Sequence, residues 1–143
     1  MRSEDFEIYD IHNFTIKEIV DTNADFFGVE LRTIKTLDIV RDILKVPIYL
    51  NFNGINSGYH ESIEHKEGKA VDFTIKNKKN YYKVFKTLLR AGFKGIGIYY
   101  TEDTMLYNFH ADTGEYRFWS GVKLKHKTSW EYGKLIIDPK KLG

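Results

Sequence analysis

The chain is 143 residues long, 42% hydrophobic and 29% charged, which fits one domain with enough apolar surface to fold and excludes wholesale disorder. It contains no cysteine, so disulfides, thiolate nucleophiles, Cys-ligated zinc and iron–sulfur clusters are excluded, and any metal site must use His, Asp or Glu. The net charge of +2 comes from 22 basic and 20 acidic residues spread along the chain; it lacks the basic stripe of a nucleic-acid binder and is compatible with an anionic polymer such as bacterial cell wall.

No run approaches the ~18–20 apolar residues of a membrane span. The start, MRSEDFEIYD, lacks the apolar stretch of a secretory signal, so no membrane association is expected. Without repeats or linkers, one domain over residues 1–143 is expected, with a core at about 13–121 and an arm at each end.

Thr15 to Glu18 has the Thr-x-x-Glu spacing of a capping box and predicts a helix start. From about Val29 to Leu44, the apolar residues Ile34, Leu37, Val40, Ile43 and Leu44 recur at helical spacing, and Val46-Pro47 ends the pattern. Ile48, Leu50 and Phe52 alternate with polar residues, predicting a half-buried strand that runs into a Gly- and Asn-rich turn at 53–58. Residues 69–75 alternate again, with Val71, Phe73 and Ile75 on one face and Ala70, Asp72 and Thr74 on the other.

A second helix is predicted over 77–91, with Tyr82, Phe85, Leu88 and Leu89 inward and Gly92 as its stop. The Lys76–Lys79 run reads as its solvated start. Strands are predicted at 96–100 and 105–111 around a loop at 101–104, and Asp112-Thr-Gly114 turns into a third at 116–120. This order predicts an α+β fold, a central, largely antiparallel sheet flanked by helices and ending in an antiparallel meander.

The chemistry concentrates in Ser57-Gly-Tyr-His-Glu-Ser-Ile-Glu-His65-Lys-Glu-Gly68-Lys-Ala70-Val-Asp72 and in Phe109-His110-Ala-Asp112-Thr-Gly114. His65 is expected in a loop ahead of a strand, with Gly68 letting the backbone turn. Asp72 projects from the face opposite the strand's apolar residues, and His110 and Asp112 share one strand face. His65, Asp72 and His110 are therefore candidates to converge across one sheet, the donor set of a catalytic zinc with an open fourth position. His12 and His126, by contrast, read as surface or hydrogen-bonding residues. Arg117 and Trp119 alternate on one strand face and read as a stacked pair.

The string His-x-x-Gly-x-Ala-x-Asp, preceded by Ser-Gly-Tyr and followed by Phe-His-x-Asp-x-Gly and a nearby Trp, resembles the M15 zinc peptidases. These include D-alanyl-D-alanine carboxypeptidases and L-alanyl-D-glutamate endopeptidases, and they share a core with the hedgehog signalling domain. The resemblance spans about Asn13 to Gly121 and implies Zn2+ held by His65, Asp72 and His110.

Two positions depart from the family. The usual Glu three residues before the final His is Tyr107 here, on the other strand face. Asp112 then becomes the candidate catalytic carboxylate, reaching a zinc-bound water or orienting the imidazole, with Glu102 or Asp103 as fallback. The family's substrate-pairing Arg is replaced by His60, a weaker carboxylate partner, which favours endopeptidase over carboxypeptidase specificity. Ser57, Tyr59, His60 and Trp119 are the candidate substrate contacts.

By resemblance the substrate is the peptidoglycan stem peptide. The expected setting is a bacteriophage endolysin, held in the host cytoplasm until release, or a wall-degrading virion component with other virion proteins as partners. The rival expectation is a weakly active or non-catalytic zinc-bearing domain of a phage particle or tail.

Overall fold

The computed structural model describes residues 1–76, 81–104, 106–125 and 127–134. Its helices are α1 (Asp5–Ile8), α2 (Ile16–Asp21), α3 (Leu31–Leu44), α4 (Ile63–Lys66) and α5 (Tyr81–Ala91). Its strands are β1 (Tyr49–Leu50), β2 (Ala70–Ile75), β3 (Gly95–Thr101), β4 (Leu106–Asp112), β5 (Arg117–Lys123) and β6 (Glu131–Lys134). The architecture is α+β, as the element order predicts.

The strands form one sheet in the order β1-β2-β4-β3-β5-β6. Every pairing is antiparallel except that between β3 and β5, which is parallel. The predicted meander is therefore incorrect in one respect. β5 does not pair with β4; the 113–116 turn carries it past β3 to that strand's far side. Lys94 stitches this crossing, donating its N–H to Asp112 O and accepting from the Arg117 N–H.

Strand alternation divides the sheet into an apolar and a polar face. Val71, Phe73, Ile75, Ile96, Ile98, Phe109 and Ala111 are buried in one cluster with Ile34, Leu37 and Val40 of α3 and with Val84, Phe85 and Leu88 of α5. Phe73 and Phe109 stack across β2 and β4 with ring centroids 5.5 Å apart. The helical layer thus covers one face and leaves the other for chemistry.

The local signals act largely as their physics requires. Thr15 and Glu18 close the capping box at the start of α2. α3 ends on Lys45 in the left-handed region at φ 55, ahead of Pro47. Gly68 sits at φ 72, where a Cβ would lie 2.0 Å from Gly28 O; only glycine fits this turn. Its carbonyl accepts from the Glu30 N–H and the Thr33 hydroxyl, which ties the start of α3 to the segment leading into β2.

Several expectations are corrected. Phe52 is 71% exposed, because β1 stops at Leu50 and Asn53 turns the chain at φ 56. Ile43 is also exposed, while Tyr82 and Leu89 are half-buried where Val84 and Thr87 take the inner positions of α5. Residues 1–12 are packed on the domain: the Met1 ammonium donates to Phe27 O and Val29 O, and Phe6 stacks on Phe26. Beyond residue 121 the sheet continues into β6. Residues 77–80, Met105, His126 and the C-terminal stretch 135–143 lie outside the described residues.

Candidate metal centre

The polar face presents its side chains in cross-strand rows. Asp72 of β2 is in register with His110 of β4, His110 with Gly97 of β3, and Gly97 with Trp119 of β5. The neighbouring row holds Ala70, Asp112, Gly95 and Arg117. His65 comes to this face from α4, a short helix where the sequence predicts a loop. The loop before it is anchored to the edge of β2: Asn51 N–H donates to Asp72 O, and Asp72 N–H donates to Gly54 O. Strand register and this loop together place the three predicted ligands.

Their donor atoms form a tight triangle. His110 Nδ1 lies 3.1 Å from His65 Nε2 and 3.1 Å from Asp72 Oδ1, and His65 Nε2 lies 3.3 Å from Asp72 Oδ1. Tetrahedral zinc with bonds of ~2.0–2.1 Å spaces its ligands about 3.3 Å apart. The remaining ring nitrogens are anchored: His65 Nδ1–H donates to Ile55 O at 2.7 Å, and His110 Nε2–H donates to Asp112 Oδ2 at 2.6 Å. Each anchor leaves the other ring nitrogen facing the triangle, where a neutral ring presents the lone pair that metal-bound imidazoles require.

Two ring nitrogens and a carboxylate oxygen this close can share a cation between them. In the metal-free protein a proton serves. Burial pushes His110 down, but hydrogen bonds to Asp112 and Asp72 outweigh it and hold the imidazole at about 9. Burial pushes Asp72 up, but hydrogen bonds from His110 and His65 hold its carboxyl at about 2. Asp112 is likewise held below its ordinary value by His110, against its burial. The donor set fits zinc, with His65 and His110 buried and the Asp72 side chain 30% exposed at the open side.

The triangle forms part of the floor of a cleft of about 860 Å³, lined among others by His60, Glu61, Asn108, Tyr99, Arg117, Trp119 and Trp130. Trp119 can lie flat over β3 because Gly97 has no side chain; a Cβ there would meet the indole at 2.5 Å. Gly95 makes the same room for the Asp112 carboxylate, 2.1 Å from such a Cβ. The Trp119 ring stands 5.0 Å from the His110 ring and donates its N–H to the Tyr99 hydroxyl. Burial raises the Tyr99 pKa although this hydrogen bond opposes it, so the phenol keeps its proton.

Other predicted site residues are placed differently. Asp112 is 1% exposed and does not line the cleft; its Oδ1 accepts the Gly114 N–H. Of the two roles considered for Asp112, orienting the imidazole matches this geometry. Glu102 and Asp103 are corrected outright: they follow β3 at its far end, five residues and ~16 Å along the strand from Gly97. Tyr107 faces the helical side, stacked on Tyr81.

Ser57 bonds Asn53 within its own loop and Tyr59 is 89% exposed, and neither lines the cleft. His60 does line it, stacked 3.7 Å from the His65 ring, and a ring nitrogen lies within 4.8 Å of donors on His65 and Asp72. Its Nε2–H is engaged by Asn53 O and Ser57 O, so His60 braces His65 and the His65–Asp72–His110 triangle remains the better-spaced donor set. Sequence reasoning missed Glu61, Tyr99, Trp130 and Tyr132 as cleft residues.

A second acidic cluster, His12 with Asp38 and Asp42, has both ring nitrogens of its imidazole already engaged. His12 Nε2 contacts Asp42 Oδ1 at 2.7 Å and Nδ1 contacts Asp10 O at 2.9 Å. The Asp42 hydrogen bond, then that to Asp10 O, raises its pKa.

No family model, curated protein or solved structure matches the chain. No helix among the described residues is long and apolar enough to cross a membrane.

Proposed function

We propose that the chain is a zinc peptidase of the M15 type that hydrolyses a peptide bond in the peptidoglycan stem peptide. The observation that carries this reading is the donor triangle of 3.1–3.3 Å on a cleft floor, with both imidazoles anchored through the ring nitrogen that faces away from it. When bound, zinc supplies Lewis acidity for the scissile carbonyl and lowers the pKa of water toward ~7.

The protein's own groups divide the remaining work. His65, Asp72 and His110 would hold the ion, and Ile55 O and Asp112 fix the two rings. Glu61 is the carboxylate besides Asp72 among the described cleft-lining residues, and it takes the proton from the attacking water and passes it to the leaving amine. Tyr99 accepts from Trp119 through its oxygen and donates its own O–H to the carbonyl oxygen as charge develops there. Trp119 and Trp130 exclude water along the β5–β6 side.

With this substrate the chain serves as a bacteriophage endolysin or a wall-degrading virion component. A second reading, a zinc-bearing domain with little hydrolytic activity, draws on the apolar-side placement of Tyr107 and the engagement of Asp112 by His110. Mass spectrometry of purified peptidoglycan incubated with zinc-loaded protein separates the two. New amino termini, absent with His65→Ala, are expected. Stoichiometric zinc with no new termini would favour the second reading, and failure to take up zinc would remove both.

A further inference from the structure

Arg117 occupies a singular position in the cleft. Among the described lining residues it is the one Lys or Arg side chain, and no carboxylate among the described residues stands within ion-pair distance of it. Its Cζ lies 4.8 Å over the Trp119 ring, and that ring in turn stands 5.0 Å from the His110 ring and is seated on Gly97. The guanidinium is thus set about one indole's breadth from the metal ligands, on a platform that is itself fixed.

Stacking on an indole fixes the guanidinium plane while leaving its N–H edge, on an exposed residue, open to a ligand. An edge of this kind matches a carboxylate bidentately, with geometric specificity that an ammonium lacks. The position that the motif would reserve for a carboxylate partner holds His60, whose Nε2–H is engaged by Asn53 O and Ser57 O. A carboxylate entering the cleft therefore finds its strongest partner on the opposite wall.

We infer that Arg117, on its Trp119 platform, is the carboxylate anchor of the cleft, selecting peptides in which a residue flanking the cleaved bond carries a free rather than an amidated carboxylate. Stem peptides offer such a group wherever a glutamate is linked through its side-chain carboxyl and its backbone carboxyl stays free. The inference rests on the peptidase reading for the bond that is cut, though not for carboxylate binding itself.

Two synthetic stem peptides that differ only in carboxylate against carboxamide at that glutamate test it. Each is titrated calorimetrically into the full chain before and after zinc loading, and cleavage is then followed by mass spectrometry. The free carboxylate is expected to bind about tenfold or more tightly, Arg117→Gln to remove that preference, and Arg117→Lys to retain part of it. A preference below about twofold in the native chain, or one that survives Arg117→Gln, overturns the anchor. Cleavage of both peptides at equal efficiency likewise overturns the anchor and leaves the peptidase reading standing. The preference without cleavage of either peptide supports the anchor and overturns the peptidase reading.

Discussion

His110 donates its Nε2–H to Asp112 Oδ2 at 2.6 Å, and Asp112, 1% exposed, gives its other oxygen to the Gly114 N–H. A carboxylate so engaged orients the ring and raises its basicity as a ligand. Asp112→Ala is expected to weaken zinc binding about 10- to 100-fold in a chelator competition. Hydrolysis should largely return when zinc is saturating. Lost activity with zinc affinity intact would instead make Asp112 the proton carrier.

Glu61→Gln should behave in the opposite way. As the proposed proton carrier, its loss should lower kcat by about 10²- to 10⁴-fold while zinc stoichiometry and affinity stay at the native level. Zinc content by metal analysis, run beside turnover, reads both. Unchanged kcat would remove Glu61 from the mechanism.

The pH dependence of the metal-free protein follows from its protonated site. His110 is raised from 6.5 to about 9, so its contribution is fully present below pH ~6.5 and is lost as pH rises toward ~9. Asp72 is depressed from 3.8 to about 2, so its contribution is present above ~3.8 and is lost as pH falls toward ~2. Melting temperature with chelator should therefore fall between pH 6.5 and 9. With zinc the trend should reverse over the same interval, because the ion must displace the His110 proton and binds more tightly as that proton leaves. Parallel melts across this range check the sign.

Gly97→Ala and Gly95→Ala test how the sheet makes room for the site. A Cβ at Gly97 would meet the Trp119 ring and one at Gly95 the Asp112 carboxylate. Each should cost about 1–3 kcal/mol in chemical denaturation. Gly97→Ala should also shift tryptophan emission, and Gly95→Ala should weaken zinc binding. Native stability in both variants would contradict the close packing.

Period-two alternation put Asp72 and His110 on one face in the sequence, because that pattern is local and Phe73 and Phe109 mark the buried side. His65 was legible through its spacing to Gly68 and Asp72. The strand order was not legible. Placing β4 between β2 and β3, and β5 beyond β3, depends on pairings between distant segments that no local pattern encodes. For the same reason Tyr99, Trp130 and Tyr132 could not be assigned to the cleft. Asp112 read equally well as a base or an orienter until the row shared with Gly95 fixed its direction. Phe52 misled because alternation alone does not say where a two-residue strand stops.

The register of β4 against β2 has a consequence for how the chain reaches its native state. Slipping β4 by one residue would turn His110 toward the helices and carry Phe109 into the polar face, and the ligand triangle would vanish with it. An ion that binds only the triangle therefore stabilises one register over all the others. Refolding in the presence of zinc should raise the yield of correctly paired sheet, so that the proposed catalytic ion also proofreads the fold.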